Sequence, residues 1–323
     1  MRHSKVLFFS LITAIGPALA TYYNFEGKWG TKGMGNGEFF YPGAVARATN
    51  GTIYVADSSN DRIQYFTATG SFFGKWGTWG TGNGEFHMVN GIGVAANGNV
   101  YAPDHGNHRI QYFDSNGSFL GKWGTEGSGN GQFEWPDGLA IGINNWVYVV
   151  DTRNYRIQYF TPDGSFLGKW GNEGSGNGQF EWPKDAYVDP GTGNVYVADT
   201  GNNRIQYFTP TGSFIGAFGK WGSGCGEFYW PYDVAVSDNG RVFVADTWNC
   251  YIQYFTRTGS FLGLWGWYGG GDGQFRNPMG IDVTPGANRV YVVDTYNDRI
   301  QYFRASPTNV TPASFGKIKS IFE

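Results

Sequence analysis

The sequence predicts an all-β fold: six four-stranded antiparallel sheets set in a ring, closed by a strand from the N-terminal end. Three observations carry this. The pentapeptide RIQYF ends at Phe66, Phe113, Phe160, Phe208 and Phe303, with a YIQYF copy ending at Phe255, so the steps are 47 or 48 residues. Regularity of this kind marks an array of like units. Glycine supplies 52 of the 323 residues and aromatic residues 19%. So much glycine excludes a helical bundle, where each would cost about 1 kcal/mol. So many rings exclude a disordered chain. Finally, Asn50-Gly51, Asn97-Gly98 and Asn239-Gly240 separate strand-like runs, and Asn-Gly supplies the two positive-φ positions of a type I′ hairpin.

Along the chain, residues 1–20 stand apart from the repeats. A basic start (Arg2, His3, Lys5), an apolar run from Val6 to Ile15 and Ala18-Leu19-Ala20 have the form of a secretory signal peptide cleaved after Ala20. The run is too short to span a bilayer. The expectation is an exported protein, secreted, extracellular or periplasmic, with a net charge of −5 once two basic residues have left. No later stretch is apolar enough to cross a membrane.

Each repeat carries four strand signals. The first is short and small, as in Asp233-Val234-Ala235-Val236. The second resembles Val195 to Asp199, the third is RIQYF, and the fourth resembles Gly164 to Gly171. They are β-branched and aromatic, without helical periodicity. A four-stranded meander cannot cover its own faces, but six arranged radially bury each against its neighbours, as a β-propeller does. The last repeat has no fourth strand after Phe303, while Phe25 to Gly30 matches the frame of Phe166 to Gly171. The N-terminal strand is therefore expected to complete the last blade. A rival strand, Ala313 to Lys317, would need a longer loop. The resulting boundaries are a signal peptide at 1–20, a propeller at 21–303 and a tail at 304–323.

The unit running from Trp182-Pro183 through Gly193 to Phe208 and on to Gly212-Ser213-Phe214 resembles the NHL repeat, and the resemblance covers nearly all of residues 25 to 303. It implies a six-bladed NHL propeller, in a family made mostly of binding platforms. Enzymatic relatives include zinc-dependent peptide-amidating lyases, whose ligands come from different blades.

Positions repeated in every copy read as parts of the blade. Asp57, Asp104, Asp151, Asp199, Asp246 and Asp294 end the second strand, and Arg62, Arg109, Arg156, Arg204 and Arg299 begin the third; Tyr251 breaks the set. Asp accepts backbone N–H bonds in a tight turn, and the Arg is expected to pair with it. Glycine-rich loops such as Gly174 to Gly178 join two strands rather than a strand and a helix, so a nucleotide-binding reading fails.

Function is sought where the copies differ. The residue before the repeated proline reads Tyr41, Met88, Trp135, Trp182, Trp230 and, at the last repeat, Asn277. Tyr232, Trp248 and Tyr296 lie close by on the same face. Tyr41, Trp135, Trp182, Trp230, Tyr232, Trp248 and Tyr296 are therefore the candidate ligand-binding residues, a stacking platform for sugar rings, peptide side chains or cations. The opposing expectation is that the Trp residues merely pack on the next blade.

His87, His105 and His108 all fall in the second repeat rather than converging from several, so no metal site and no cofactor is assigned. No catalytic residue is assigned, since no nucleophile elbow occurs. Cys225 and Cys250 depart from the repeat in one blade and on one face. In an oxidising compartment they are expected to form a disulfide worth about 3 kcal/mol. Sequons at Asn50, Asn116 and Asn309 allow for glycosylation. The functional expectation is an exported monomeric propeller binding a protein, peptide, carbohydrate or cell-surface component through its top face. The alternative is a metal-assisted lyase or hydrolase at the axial mouth. Export and the acidic balance count against nucleic acid as partner.

Overall fold

The computed structural model describes residues 21–307. The signal-peptide expectation, the rival strand and the Asn309 sequon lie outside the described residues. Six sheets of four antiparallel strands follow one another in chain order. Blades 1 to 5 each take their strands consecutively, with inner strands at Ala44–Arg47, Gly93–Val94, Pro136–Ile141, Ala186–Val188 and Pro231–Val236. Blade 6 is composite. Its inner three strands are Pro278–Val283, Arg289–Asp294 and Arg299–Pro307, and its outermost strand is Thr21–Trp29. The closure read from the sequence is present, with Phe25 opposite Phe303 and Trp29 opposite Ile300. Pairing continues to Thr21 opposite Pro307, so the last strand runs four residues past Phe303.

The second strands are the core of each sheet: Val195, Tyr196, Val197 and Ala198 are all buried, as are their counterparts. Burial alone would strand the tyrosine hydroxyls. Each instead reaches the hairpin of the next blade. Tyr54 donates to the Ser115 carbonyl at 2.9 Å, Tyr148 to Pro210 at 3.0 Å and Tyr196 to Arg257 at 2.8 Å. The fifth blade has Phe243 at this place. Its neighbour is blade 6, whose third and fourth strands come from distant parts of the chain and so are not joined by that hairpin. Tyr23 of the N-terminal strand fills the seam, 5.3 Å from Phe243 and 4.8 Å from Trp265 between ring centres. Its hydroxyl donates to the Ala287 carbonyl.

The repeated Asp and Arg are structural, as expected. Asp57 accepts from the Phe40 N–H at 2.8 Å, from Arg62 Nε at 2.7 Å and from Asn60 at 2.9 Å. The other Arg62 nitrogens donate to the Met34, Gly35 and Glu38 carbonyls. One ion pair thus ties the turn to the glycine-rich loop above it. Gln64, fully buried, does the same with Gly37 and Glu38. The tryptophans of the fourth strands are packing residues: Trp170 lies 5.6 Å from Phe208. Gly164 shows why its column is glycine. Its φ is +91°, and a Cβ there would come within 2.6 Å of Trp123.

The expected Cys225–Cys250 bridge is not formed; both thiols are free. Cys225 is exposed on the glycine-rich loop, whereas Cys250 is buried with Sγ 3.7 Å from the Thr247 carbonyl. In other blades the residue at the position of Cys250 points its side chain at the next blade, as Asn203 does toward the Trp230 N–H. Sharing a face therefore does not bring the two sulfurs together.

Two outcomes follow. In blade 5, where Tyr251 replaces the arginine, burial pushes the Asp246 carboxyl up to about 6. A buried acid with a raised value gives stability that is full below about pH 4 and lost as pH rises through 6. Tyr251→Arg should stabilise the fold by about 1–3 kcal/mol at pH 7 and flatten that slope in thermal melts between pH 4.5 and 7. An unchanged melting temperature would refute the role given to the pair. Thiol titration without reductant should find one fast group in the native protein and two after denaturation; none after denaturation would restore the disulfide.

Candidate functional site at the axial mouth

The six inner strands converge on the axis, and each enters it just after the repeated proline or its equivalent, Val89. The residue before it has a left-handed backbone in all six blades, with φ of 53°, 47° and 54° at Trp135, Trp182 and Trp230. That conformation is costly for a side chain this large. The preceding blade holds it in place: Asp298 accepts the Tyr41 N–H at 2.9 Å, Asp61 accepts Met88 and Asn203 accepts Trp230. His108 plays this part for Trp135 through Nδ1, at 3.3 Å.

The residue after the proline then points at the axis. Around the ring this column reads Gly43, Asn90, Asp137, Lys184, Tyr232 and Met279, with no two alike. All six line one cavity of about 190 Å³ opening on the top face. Tyr41, Met88, Tyr296, Ser58, Ser59 and Thr295 complete its upper wall. Its charged core is the pair Asp137–Lys184, with Nζ to Oδ2 at 2.5 Å. Asn90 donates to the other oxygen of Asp137 at 2.9 Å. Burial opposes charge on both partners. Lys184, followed by His105, nonetheless holds Asp137 below the usual carboxylate range. Asp137 and then Tyr232 raise the Lys184 ammonium. The pair is ionised and internally compensated. Burial lowers His105, which stays neutral at pH 7 with Nδ1 3.2 Å from the Pro136 carbonyl.

One layer down, Asp185 and Asp233 face the axis. Burial pushes Asp233 up to about 8, and burial with Asp233 nearby puts Asp185 well above the usual range. Asp233 therefore holds its proton at pH 7. The two acids serve the free inner edges of the strands: Asp233 accepts the Val234 N–H and, across the blade boundary, the Ile281 N–H at 2.7 Å. Asp185 lines both the upper cavity and a second cavity of about 370 Å³ on the opposite face.

The expected aromatic arc is divided by the structure into three parts. Tyr41, Tyr232 and Tyr296 line the axial cavity, with the Tyr41 and Tyr296 rings edge to face at 5.0 Å. Trp135 and Trp182 flank the guanidinium of Arg153, 3.9 and 5.7 Å from it. Trp230 and Trp248 lie 5.8 Å apart and belong to a ladder on blade 5. It continues from Trp248 to Tyr229 at 5.1 Å and from Tyr229 to Trp221 at 6.4 Å. Trp221 and Trp248 are 70% and 52% exposed. The outer two rings escaped sequence reasoning because Trp221 sits in a loop whose glycines dominate its pattern. The charged core was legible only as a column in which every copy differs. Among the described residues, no three His, Cys, Asp or Glu side chains form a group that could hold a metal ion, and no helix is long and apolar enough to cross a membrane.

A family described as a 6-bladed beta-propeller matches residues 41–126, and the NHL repeat matches residues 180–208 and 228–255. No curated protein sequence matches the chain. Among solved structures, a protein of unknown function from Bacteroides thetaiotaomicron is 15% identical, with 88% of this chain and 76% of that chain covered and a TM-score of 0.67. A gluconolactonase from Xanthomonas campestris is 14% identical over 91% and 99% of the two chains, with a TM-score of 0.64. A catalytically inactive virginiamycin B lyase from Staphylococcus aureus, solved with quinupristin, is 12% identical over 88% and 98%, at 0.59. At these identities the likeness shows the fold. Together with the six-blade ring, the repeat matches make this chain a six-bladed β-propeller of the NHL-repeat type.

Proposed function

We propose that this propeller is an exported binding platform whose top face takes a carbohydrate chain. The observation that carries the reading is the blade-5 ladder, four rings following one another from the rim at Trp221 to the axial edge at Trp230. Exposed rings with a polar edge stack well on flat, partly apolar surfaces, and sugar rings present such faces. The mouth beside the ladder favours an uncharged ligand. Asp137 and Lys184 compensate each other, and His105 is neutral. A charged peptide end would lose its hydration there without gaining a free counter-charge. A hydroxylated, neutral ligand meets alternating donors and acceptors at Asn90, Ser59 and Tyr232.

The reading of a lyase or hydrolase at the same mouth draws on the names of fold neighbours that act as enzymes. The cavity's compensated pair and hydrogen-bonded carboxyls favour holding over turning over.

The test is a glycan and peptide array probed with the wild type and Trp248→Ala. Trp248 is half exposed, so its loss should leave the melting temperature nearly unchanged. The expected result is selective glycan binding, weakened tenfold or more by the substitution. Binding to no glycan, or equal signals from the two proteins, would defeat the reading.

A further inference from the structure

In blades 1 to 5 the residue that follows the repeated Asp clasps its blade to the next. Ser58 donates to the Val89 carbonyl at 2.7 Å, Thr152 to Pro183 at 2.9 Å, Thr200 to Pro231 at 2.6 Å and Thr247 to Pro278 at 2.7 Å. His105 does so through Nδ1 to Pro136 at 3.2 Å. Thr295 is the sixth. It is 2% exposed, it lines the axial cavity, and its hydroxyl has no hydrogen-bond partner. Buried hydroxyls are normally paired. An orphan at the junction where the Tyr41 and Tyr296 rings wall the cavity needs a reason.

We infer that the axial cavity takes the terminal sugar ring of a carbohydrate chain, with the Thr295 hydroxyl as its unclaimed hydrogen-bonding group. This rests on the carbohydrate reading above and specifies which part of the chain is recognised. Three features set the choice of an end. The cavity, at about 190 Å³, lies below the roughly 300–1,000 Å³ of pockets that enclose a whole small ligand. It therefore takes one ring of something longer. At its lower end it meets the second cavity at Asp185, which lines both, and the proposal seats the sugar above that layer with its exit at the top face. An internal sugar would need both of its neighbours to leave through one opening, whereas a terminal sugar needs only one exit, and the aromatic surface supplies the path. A turn about χ1 of Thr295 exchanges its methyl and hydroxyl groups against the cavity.

The experiment displaces the array-selected glycan from the wild type with named competitors: the methyl α- and β-glycosides of glucose, galactose, mannose and N-acetylglucosamine. At least one should compete, and Thr295→Val should weaken that competitor tenfold or more. The same substitution should leave the melting temperature unchanged or higher, since it deletes an unpaired group. Thr200→Val, which breaks a formed clasp, should lower the melting temperature and leave the competitor's affinity unaltered. Glycan binding that no methyl glycoside displaces, or equal competition against Thr295→Val, overturns end recognition while the carbohydrate reading stands. An array without any glycan signal overturns both.

Discussion

The pairing of Thr21–Trp29 with Arg299–Pro307 is the constraint on which the rest of the molecule depends. Six radial sheets have unsatisfied flanks unless the last meets the first. Here a backbone ladder joins the N-terminal strand to the last repeat. The entropic cost of closing so long a loop grows slowly, by about 0.6 kcal/mol per doubling of length, so a ring of this size costs about 4 kcal/mol more than a tight turn. Burial of a large side chain returns about 1.5–3 kcal/mol. Tyr23 is buried against three rings of blade 5, and Glu26 accepts from both Arg289 and Arg304. Side-chain burial and the ladder together outweigh the closure cost.

Closure also explains where sixfold symmetry is broken. The Asp, Asn and Gln columns serve every blade alike and hold its glycine-rich loop, and the Arg column does so in all but blade 5, where Tyr251 stands. Two columns depart from symmetry at the seam. Phe243 stands where a tyrosine would find no hairpin carbonyl, and Thr295 leaves its clasp open at the junction with blade 1. The axis collects a third departure, six unlike residues brought within one cavity. A ring of repeats thus acquires a single mouth with distinct chemistry on each side.

Much of this was legible in the residues. The period, the Asn-Gly turns and the orphan strand at Phe25 to Gly30 specify six blades and their closure, because strand period and turn chemistry are local properties. The Asp–Arg role was legible because repetition separates scaffold from site. Orientation was not. Cys225 and Cys250 share a face, but the left-handed backbone of Cys250, with φ of 59°, turns its side chain to the neighbouring blade. The expected aromatic arc likewise divides, by the side chains each ring meets, into a cavity wall, an arginine sandwich and a ladder. Thr295 looks like every other Thr of its column, and only the distances reveal that its hydroxyl is unpaired.

Native-state hydrogen exchange of the full chain tests closure most directly, because the amides of Thr21–Trp29 report whether the two ends are paired. The ladder-bonded amides among Tyr23, Phe25 and Trp29 are expected to exchange as slowly as those of the third strands, at the rate of global opening. Exchange of these amides at the speed of the glycine-rich loops, with the third strands still protected, would contradict closure.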